Sequence, residues 1–172
     1  MTTLATPTSL TARRVDSPVG PLTLVGSTAG VRAILWPDDD PARAGLAGVP
    51  TRRGALDVLA DTVEQLEQYF AGSRTTFDLP LDLHGTPFQV AAWRALVEIP
   101  YGETRTYAEQ AAALGRPAAT RAVGSANGRN PISIVLPCHR VIGSDGALRG
   151  FAGGLEVKAA LLAFERATLA SG

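Results

Sequence analysis

The chain has 172 residues, 45% of them hydrophobic, and no net charge at neutral pH. That is enough chain for one ordinary domain or two small ones with a real core, and the composition excludes wholesale disorder. No run is long and apolar enough to span a bilayer, and the bulk charge carries no sign of a polyanionic partner. The distribution of charge is more telling. Residues 1–83 hold seven basic and ten acidic residues, and residues 84–172 hold nine and six. Within 116–149, Arg116, Arg121, Arg129, Arg140 and Arg149 face only Asp145, a local basic stripe of the kind a phosphate-facing surface needs.

In chain order, Met1–Thr11 is polar, lacks the apolar core of a signal peptide and reads as a loose extension. Strands are expected between Val15 and Ile34, with turn chemistry at Ser17-Pro18-Val19-Gly20-Pro21 and at Gly26–Gly30, and a further strand over Val31–Trp36. Pro37-Asp38-Asp39-Asp40-Pro41 breaks the pattern. The segment to Arg53 reads as a mobile loop and its acidic run as solvated. Leu56, Leu59, Val63, Leu66 and Phe70 recur every three or four residues, which predicts an amphipathic helix closed by Gly72. Phe77, Leu79, Leu81 and Leu83 alternate with other residues, which predicts another strand. This first unit, 1–83, is a small α/β scaffold with no chemistry evident in its residues.

A second unit, 84–172, begins where Thr86 suits a helix N-cap and Pro87 the first helical position. Phe88, Val90 or Ala91, Trp93, Leu96 and Ile99 form its buried stripe. A short helix over Thr106–Leu114 stops at Gly115-Arg116-Pro117, and a third, rich in small residues, runs over Ala118–Asn127. Two short helices across a tight glycine-containing turn are the layout of a helix-turn-helix, a layout also found in proteins that never touch DNA. An apolar run, Ile132–Val141, a glycine-rich loop, Gly143–Gly154, and a closing helix, Leu155–Ala167, complete the chain.

Cys138 is the only cysteine, so no internal disulfide can form and a reducing, cytoplasmic setting is expected. A lone cysteine in an apolar run is usually a small buried hydrophobe. Here His139 adjoins it and Arg140 follows, a charge that favours a thiolate. Lys158 and Glu165 lie seven residues apart on the closing helix, close to two turns, so both can project from one face. A thiol nucleophile needs a base, and the base an orienting group: His139 and Glu165 suit those roles. Neighbours in extended backbone point opposite ways, so the proton must cross a local bend or a bridging water.

Pro137-Cys138-His139-Arg140-Val141 resembles the active-site signature of the O6-alkylguanine-DNA alkyltransferases, the methylated-DNA–protein-cysteine methyltransferases. The resemblance extends through Ser17–Leu22, Ile99–Glu103, Tyr107, Arg121–Gly124, Asn130-Pro131, Gly153-Gly154, Lys158, Leu161-Leu162 and Glu165 in order and spacing. It implies a small N-terminal α/β domain of ribonuclease H-like fold and a C-terminal winged helix-turn-helix-like domain. That domain binds the minor groove of double-stranded DNA containing O6-alkylguanine and flips the damaged nucleotide out. By the same resemblance Cys138 takes the alkyl group, His139 accepts the thiol proton through a water, Glu165 holds His139 and Lys158 supports the site electrostatically. Tyr107 stands beside the flipped nucleotide and, with backbone N–H groups at Ala152 and Gly153, stabilises the departing guanine oxygen. Arg121 fills the vacated space, Ala122, Gly124 and Ser125 allow close approach to DNA, and Asn130 is a hinge between recognition helix and active site. Phe151 stacks on the base, while carbonyls of Cys138 and Val141 read its exocyclic amine.

A thioether has no good leaving group and the chain has no second thiol, so a single turnover is expected. No cofactor is implied. Residues 1–83 contain neither Cys nor His, so no zinc is expected there, although some family members bind it. Phe151 stands where many members carry tyrosine, and Ala152 replaces a serine found in some. A monomer is expected, with cooperative binding along DNA open. Three other readings explain less. A non-enzymatic binder of alkylated DNA would have lost the nucleophile. A cysteine hydrolase leaves Tyr107, Arg121 and Asn130 without a role, and a redox protein would need a partner thiol.

Overall fold

A computed structural model describes residues 9–172. The expected loose extension lies mostly outside that range, but its last residues, Leu10 and Thr11, belong to the first strand, β1 (Leu10–Val15). With β2 (Leu22–Ser27), β3 (Gly30–Leu35) and β4 (Thr51–Arg53) it forms a sheet of order β3-β2-β1-β4, antiparallel except for the β1–β4 pair. One face receives α1 (Asp57–Phe70) through Leu59, Leu66 and Tyr69.

The segment 37–53 corrects the expectation of a mobile loop. Pro41–Ala44 forms a 3₁₀ turn capped by Asp40, and Ala44 and Leu46 are buried with Leu10, Val25 and Ala33 on the sheet's second face. The acidic run is not simply solvated either. The Asp39 carboxylate is buried and takes Arg43 Nε at 2.7 Å and Nη2 at 2.6 Å. A second apolar face needs a cover, and this segment supplies it.

The expected strand over 77–83 also differs. Phe77, Leu79 and Leu81 do turn inward in alternation, but the backbone makes only one bridge, Leu81 to Val31. Asp82 N donates to Val31 O and Val31 N to Pro80 O, both at 2.8 Å. The outer edge of β3 is further engaged by Ile34 N, which donates to Pro131 O at 2.8 Å. These contacts cover an edge that would otherwise expose unpaired backbone groups.

In the second half, α2 (Pro87–Leu96) opens with a full capping box between Thr86 and Gln89. α3 (Tyr107–Ala113), capped by Thr106, and α4 (Thr120–Gly128) follow across a six-residue connection in which Gly115 adopts φ 72°. Three polar contacts lock the helices together. Trp93 Nε1 donates to Ala126 O at 2.7 Å, satisfying a carbonyl in the last turn of α4. The Gln110 and Asn127 side chains exchange two hydrogen bonds, at 3.1 and 2.8 Å, and Gln110 also donates to Ala92 O. A two-residue parallel pair, β5 (Arg105–Thr106) with β6 (Val141–Ile142), joins the start of α3 to the end of the Cys138 segment. α5 (Leu155–Ala170) closes the chain. One apolar core runs through both halves, from Leu24 and Leu59 to Trp93, Leu136 and Leu161. No described helix is long and apolar enough to cross a membrane.

Gly30 has φ 151°, and a Cβ there would lie 2.4 Å from Pro80 O. Gly30→Ala should therefore destabilise the protein by about 3 kcal/mol, as a backbone clash combined with a strained φ. Gly48 has φ 70° with open space around it. Gly48→Ala should cost only about 1 kcal/mol, the conformational penalty alone. Urea midpoints of the two variants give the comparison.

Candidate active site

Cys138 does not sit in a strand. Asn130 to Pro137 is irregular, buried throughout, and leads into a 3₁₀ turn over Cys138–Arg140. Pro137 adopts φ −81° and ψ 63° while Cys138 N donates to Leu136 O at 2.8 Å, an inverse γ-turn suited to the narrow φ range of proline. Upstream, Ile134 has φ 75°, a conformation a β-branched residue rarely takes. The surroundings impose it. The buried Asn130 amide donates to Leu136 O at 2.7 Å, its oxygen accepts Ile132 N at 3.0 Å, and Leu136 N donates to Ile132 O. Asn130 thus clamps the segment that ends in the thiol.

Cys138 and His139 sit on this turn and not on the extended backbone that would point them opposite ways. His139 is fully buried, and its Nε2 lies 2.7 Å from Glu165 Oε2. Burial alone would raise the Glu165 pKa, but hydrogen bonds from His139 and Arg140 outweigh it and hold the carboxyl at about 2. An ionised carboxylate can only accept, so Nε2 carries the hydrogen and Nδ1 keeps a lone pair. Nδ1 is buried with no partner among the described residues, an acceptor free to take a proton. Burial also lowers the His139 pKa, more than the contact with Glu165 raises it, so the imidazole is neutral at neutral pH.

The Arg140 expectations are corrected. The guanidinium neither belongs to a phosphate-facing stripe nor activates the thiol. It is buried, donating to Glu165 from Nε at 2.8 Å and Nη2 at 3.1 Å and to Ile99 O from Nη1 at 2.8 Å. Burial raises the Cys138 pKa, so the resting group is a thiol and not a thiolate. The opposing influences are the Asn130 side chain and the charges of Lys158 and Arg43. Lys158 is buried, donates to Arg149 O at 2.8 Å and lies over the Tyr107 ring at 5.8 Å. The Tyr107 hydroxyl reaches the same carbonyl at 3.4 Å. Cys138, His139, Glu165, Lys158, Tyr107 and Asn130 thus surround one locus.

The remaining expected residues flank it. Val141 is buried and its N–H donates to Cys138 O at the end of the turn. Phe151 is half-buried, packs edge-on against Trp36 at 5.4 Å, and accepts Gly154 N at 2.9 Å in a tight turn through Ala152 and Gly153. A Cβ on Gly153 would lie 2.7 Å from the Trp36 ring, so glycine is required for that approach. On α4, Arg121, Ala122 and Ser125 are exposed and Gly124 half-exposed, while Val123, Ala126 and Asn127 face inward. Arg121 has no ion-pair partner among the described residues and stands apart from the thiol cluster.

Three contributors from the first half were not legible in the sequence. Tyr69 donates its hydroxyl to Glu165 Oε2 at 2.7 Å, Trp36 backs Phe151 and bonds Ser133, and Arg43 donates to Asn130 O at 2.6 Å. The reading of residues 1–83 as free of chemistry is corrected to that extent. The apolar stripe read from spacing picks out Phe70 and passes over Tyr69, Trp36 figures only as the end of a strand, and nothing local distinguishes Arg43 from other loop arginines.

Comparison with known proteins places the chain among relatives along most of its length. Residues 10–83 match the family described as 6-O-methylguanine DNA methyltransferase, ribonuclease-like domain, and residues 87–167 match the 6-O-methylguanine DNA methyltransferase, DNA binding domain. The chain is 52% identical over 156 residues to a methylated-DNA–protein-cysteine methyltransferase of Mycolicibacterium paratuberculosis, covering 90% of this chain and 91% of that one. A protein of the same name from Methanosarcina barkeri is 46% identical over 165 residues, covering 90% and 96%. Among solved structures, Mycobacterium tuberculosis OGT in complex with DNA aligns with a TM-score of 0.81 at 45% identity, covering 93% of this chain and 94% of that one.

The buried network should govern acid stability. The folded pKa of His139 lies below its ordinary 6.5 and that of Glu165 below its ordinary 4.5. Both groups therefore contribute stability that is fully present above those ordinary values. The His139 part is lost as pH falls below 6.5 and the Glu165 part between 4.5 and about 2. The urea midpoint should begin to fall between about pH 7 and 5, and His139→Gln should remove that early decline. An identical decline in the variant would remove His139 from this account.

Proposed function

Because the chain belongs to the 6-O-methylguanine DNA methyltransferase family, we propose that Cys138 is the thiol on which its reaction ends. The protein is a DNA-repair methylated-DNA–protein-cysteine methyltransferase: it flips O6-alkylguanine out of the duplex and moves the alkyl group irreversibly to a cysteine of its own, once per molecule. The observation that carries the residue assignment is the buried His139–Glu165 pair with an unpaired Nδ1, next to the chain's single cysteine.

In the proposed step Cys138 Sγ attacks the alkyl carbon in line with the C–O6 bond. An S–C bond forms as the C–O6 bond breaks. The thiol proton passes through a water to His139 Nδ1, the bonding pair leaves on O6 and delocalises into the ring, and guanine takes a proton from solvent in exchange for the one the imidazolium returns. Glu165 steadies the imidazolium that forms, and Lys158 favours the transient thiolate. The Tyr107 hydroxyl and the backbone N–H groups at Ala152 and Gly153 stabilise the departing oxygen. Carbonyls of Cys138 and Val141 accept from the exocyclic amine, and Phe151 stacks on the base. Because burial keeps the thiol protonated at rest, reactivity toward adventitious electrophiles is suppressed until a base is seated.

For DNA, α3 and α4 act as a helix-turn-helix with the 143–150 loop as its wing, placed in the minor groove. Arg121 fills the space of the flipped nucleotide, supported by its exposure without an ion-pair partner among the described residues and by the planar guanidinium's capacity to stack. Ala122, Gly124 and Ser125 line the face of closest approach, and Asn130, bonded to Ile132 and Leu136 on either side of Ile134, is the hinge to the thiol. The units divide at 83/84. The protein works as a monomer in the cytoplasm.

Incubation with duplex DNA carrying O6-methylguanine should add one methylene mass to Cys138 in intact-protein mass spectrometry, with at most one equivalent per molecule and none in Cys138→Ser. A folded protein without mass gain would overturn the assignment. Arg121→Ala should slow repair in duplex DNA by about 100-fold while leaving reaction with free O6-benzylguanine within about threefold. Equal losses on both substrates would remove the flipping role.

A further inference from the structure

Tyr69 is fully buried on α1, in the half of the chain that supplies neither thiol nor base. Its hydroxyl and His139 Nε2 both lie 2.7 Å from the same oxygen, Glu165 Oε2. Burial, and then the charge of Glu165, push the phenol well above its ordinary range, so it keeps its proton and acts here as a donor. Oε2 is thus shared among Tyr69, His139 and, at 3.1 Å, Arg140 Nη2, while Oε1 takes Arg140 Nε at 2.8 Å and Gly102 N at 3.2 Å.

The ring cannot swing away. Phe70, Phe77, Tyr101 and Phe164 pack around it with centroids 5.0 to 6.0 Å distant. Phenylalanine would fill the same volume without burying a hydroxyl, a group that costs stability unless it is bonded. Its bond runs to the one oxygen that also holds the imidazole. An acceptor divided among three donors binds each less strongly than one divided between two, so the Tyr69 hydroxyl weakens the grip of Glu165 on the imidazole N–H.

We propose that Tyr69 is a positioning residue for alkyl transfer: competing with His139 for Glu165 Oε2, it holds the carboxylate in place and sets how readily His139 accepts the thiol proton. This rests on the assignment of Cys138 and His139 as thiol and base. The first half of the chain then completes the relay and does not merely support it. The other groups around the relay are Arg140 from the turn, Lys158 from the same helix as Glu165, and Tyr101, whose ring lies 5.5 Å from the Arg140 guanidinium. A change at Tyr69 that preserves the ring leaves Lys158 and Tyr101 in place, and by the same sharing it strengthens the bond of Arg140 Nη2 to Oε2 alongside that of His139.

The test uses the full chain as wild type, as Tyr69→Phe, and with 3-fluorotyrosine at position 69. Methyl transfer from O6-methylguanine duplex is timed between about pH 5 and 9, and the His139 ring is titrated separately by nitrogen NMR. Tyr69→Phe frees Oε2 to hold the imidazolium more tightly. The acid limb of the rate profile and the His139 titration should both move up by about half a pH unit, with the plateau within about threefold. Fluorotyrosine, a stronger donor, should move both the opposite way. A uniform fall in rate with neither midpoint moved would reduce Tyr69 to packing and overturn the proposal. Should Tyr69→Phe not fold, the fluorotyrosine protein, different by one atom, decides by the sign of its shift. Should wild type transfer nothing to Cys138, the functional reading fails, and the His139 titration still reports whether Tyr69 governs that imidazole.

Discussion

The Glu165 carboxylate is the point on which the architecture turns. It is fully buried and ionised, and a buried charge is tolerable only when paired and hydrogen-bonded. Its four donor residues come from three places: Tyr69 on α1, the backbone of Gly102 after α2, and His139 and Arg140 on the 3₁₀ turn, all meeting α5. Satisfying this one group brings the N-terminal helix, the loop before α3, the thiol-bearing turn and the last helix to a common centre. Removing any donor leaves charge less compensated in a medium of low dielectric, so the arrangement is cooperative.

The same principle extends outward through smaller polar clamps. Asn130 satisfies backbone groups on both sides of Ile134 and so maintains a positive φ in a buried β-branched residue. Arg43 bonds the Asn130 carbonyl, and Asp39 holds Arg43. Trp93, Gln110 and Asn127 fix α4 against α2 and α3. In the proposed mechanism the strain at Ile134 and the rigidity of α4 serve one end: a thiol held at a set distance from a helix that would lie against DNA. Apolar burial supplies most of the folding energy, and these polar contacts select one geometry within it.

Much of the site was legible in the sequence because the chemistry restricts residue types at fixed spacings. A cysteine next to a histidine, with Lys158 and Glu165 two helical turns apart, is a pattern that follows from helix periodicity and from what a thiol needs to react. The cap at Thr86 and the stops at Gly72 and Gly115 were legible for the same local reason: a helix end leaves orphan backbone groups that particular residues satisfy. The 77–83 segment shows the limit. Its alternation was correctly read as inward and outward, but whether an extended segment becomes a strand depends on a partner's free edge, which alternation does not reveal.

What the sequence by itself determined is therefore local. It settled which helices form and broadly which faces they bury, and it named the candidates for the chemistry. Only the tertiary structure decided what the long-range partners do. Arg140 and Arg121 are the same residue type in the same basic stretch, yet one is sealed against Glu165 and the other lies open on α4. Tyr69 falls outside the stripe of Leu56, Leu59, Val63, Leu66 and Phe70, and its use follows only from a carboxylate 96 residues away. Charge, size and periodicity are properties of a residue and its neighbours. Whether a cation is neutralised or a hydroxyl used depends on what the folded chain places opposite, and that is set by packing across the whole molecule.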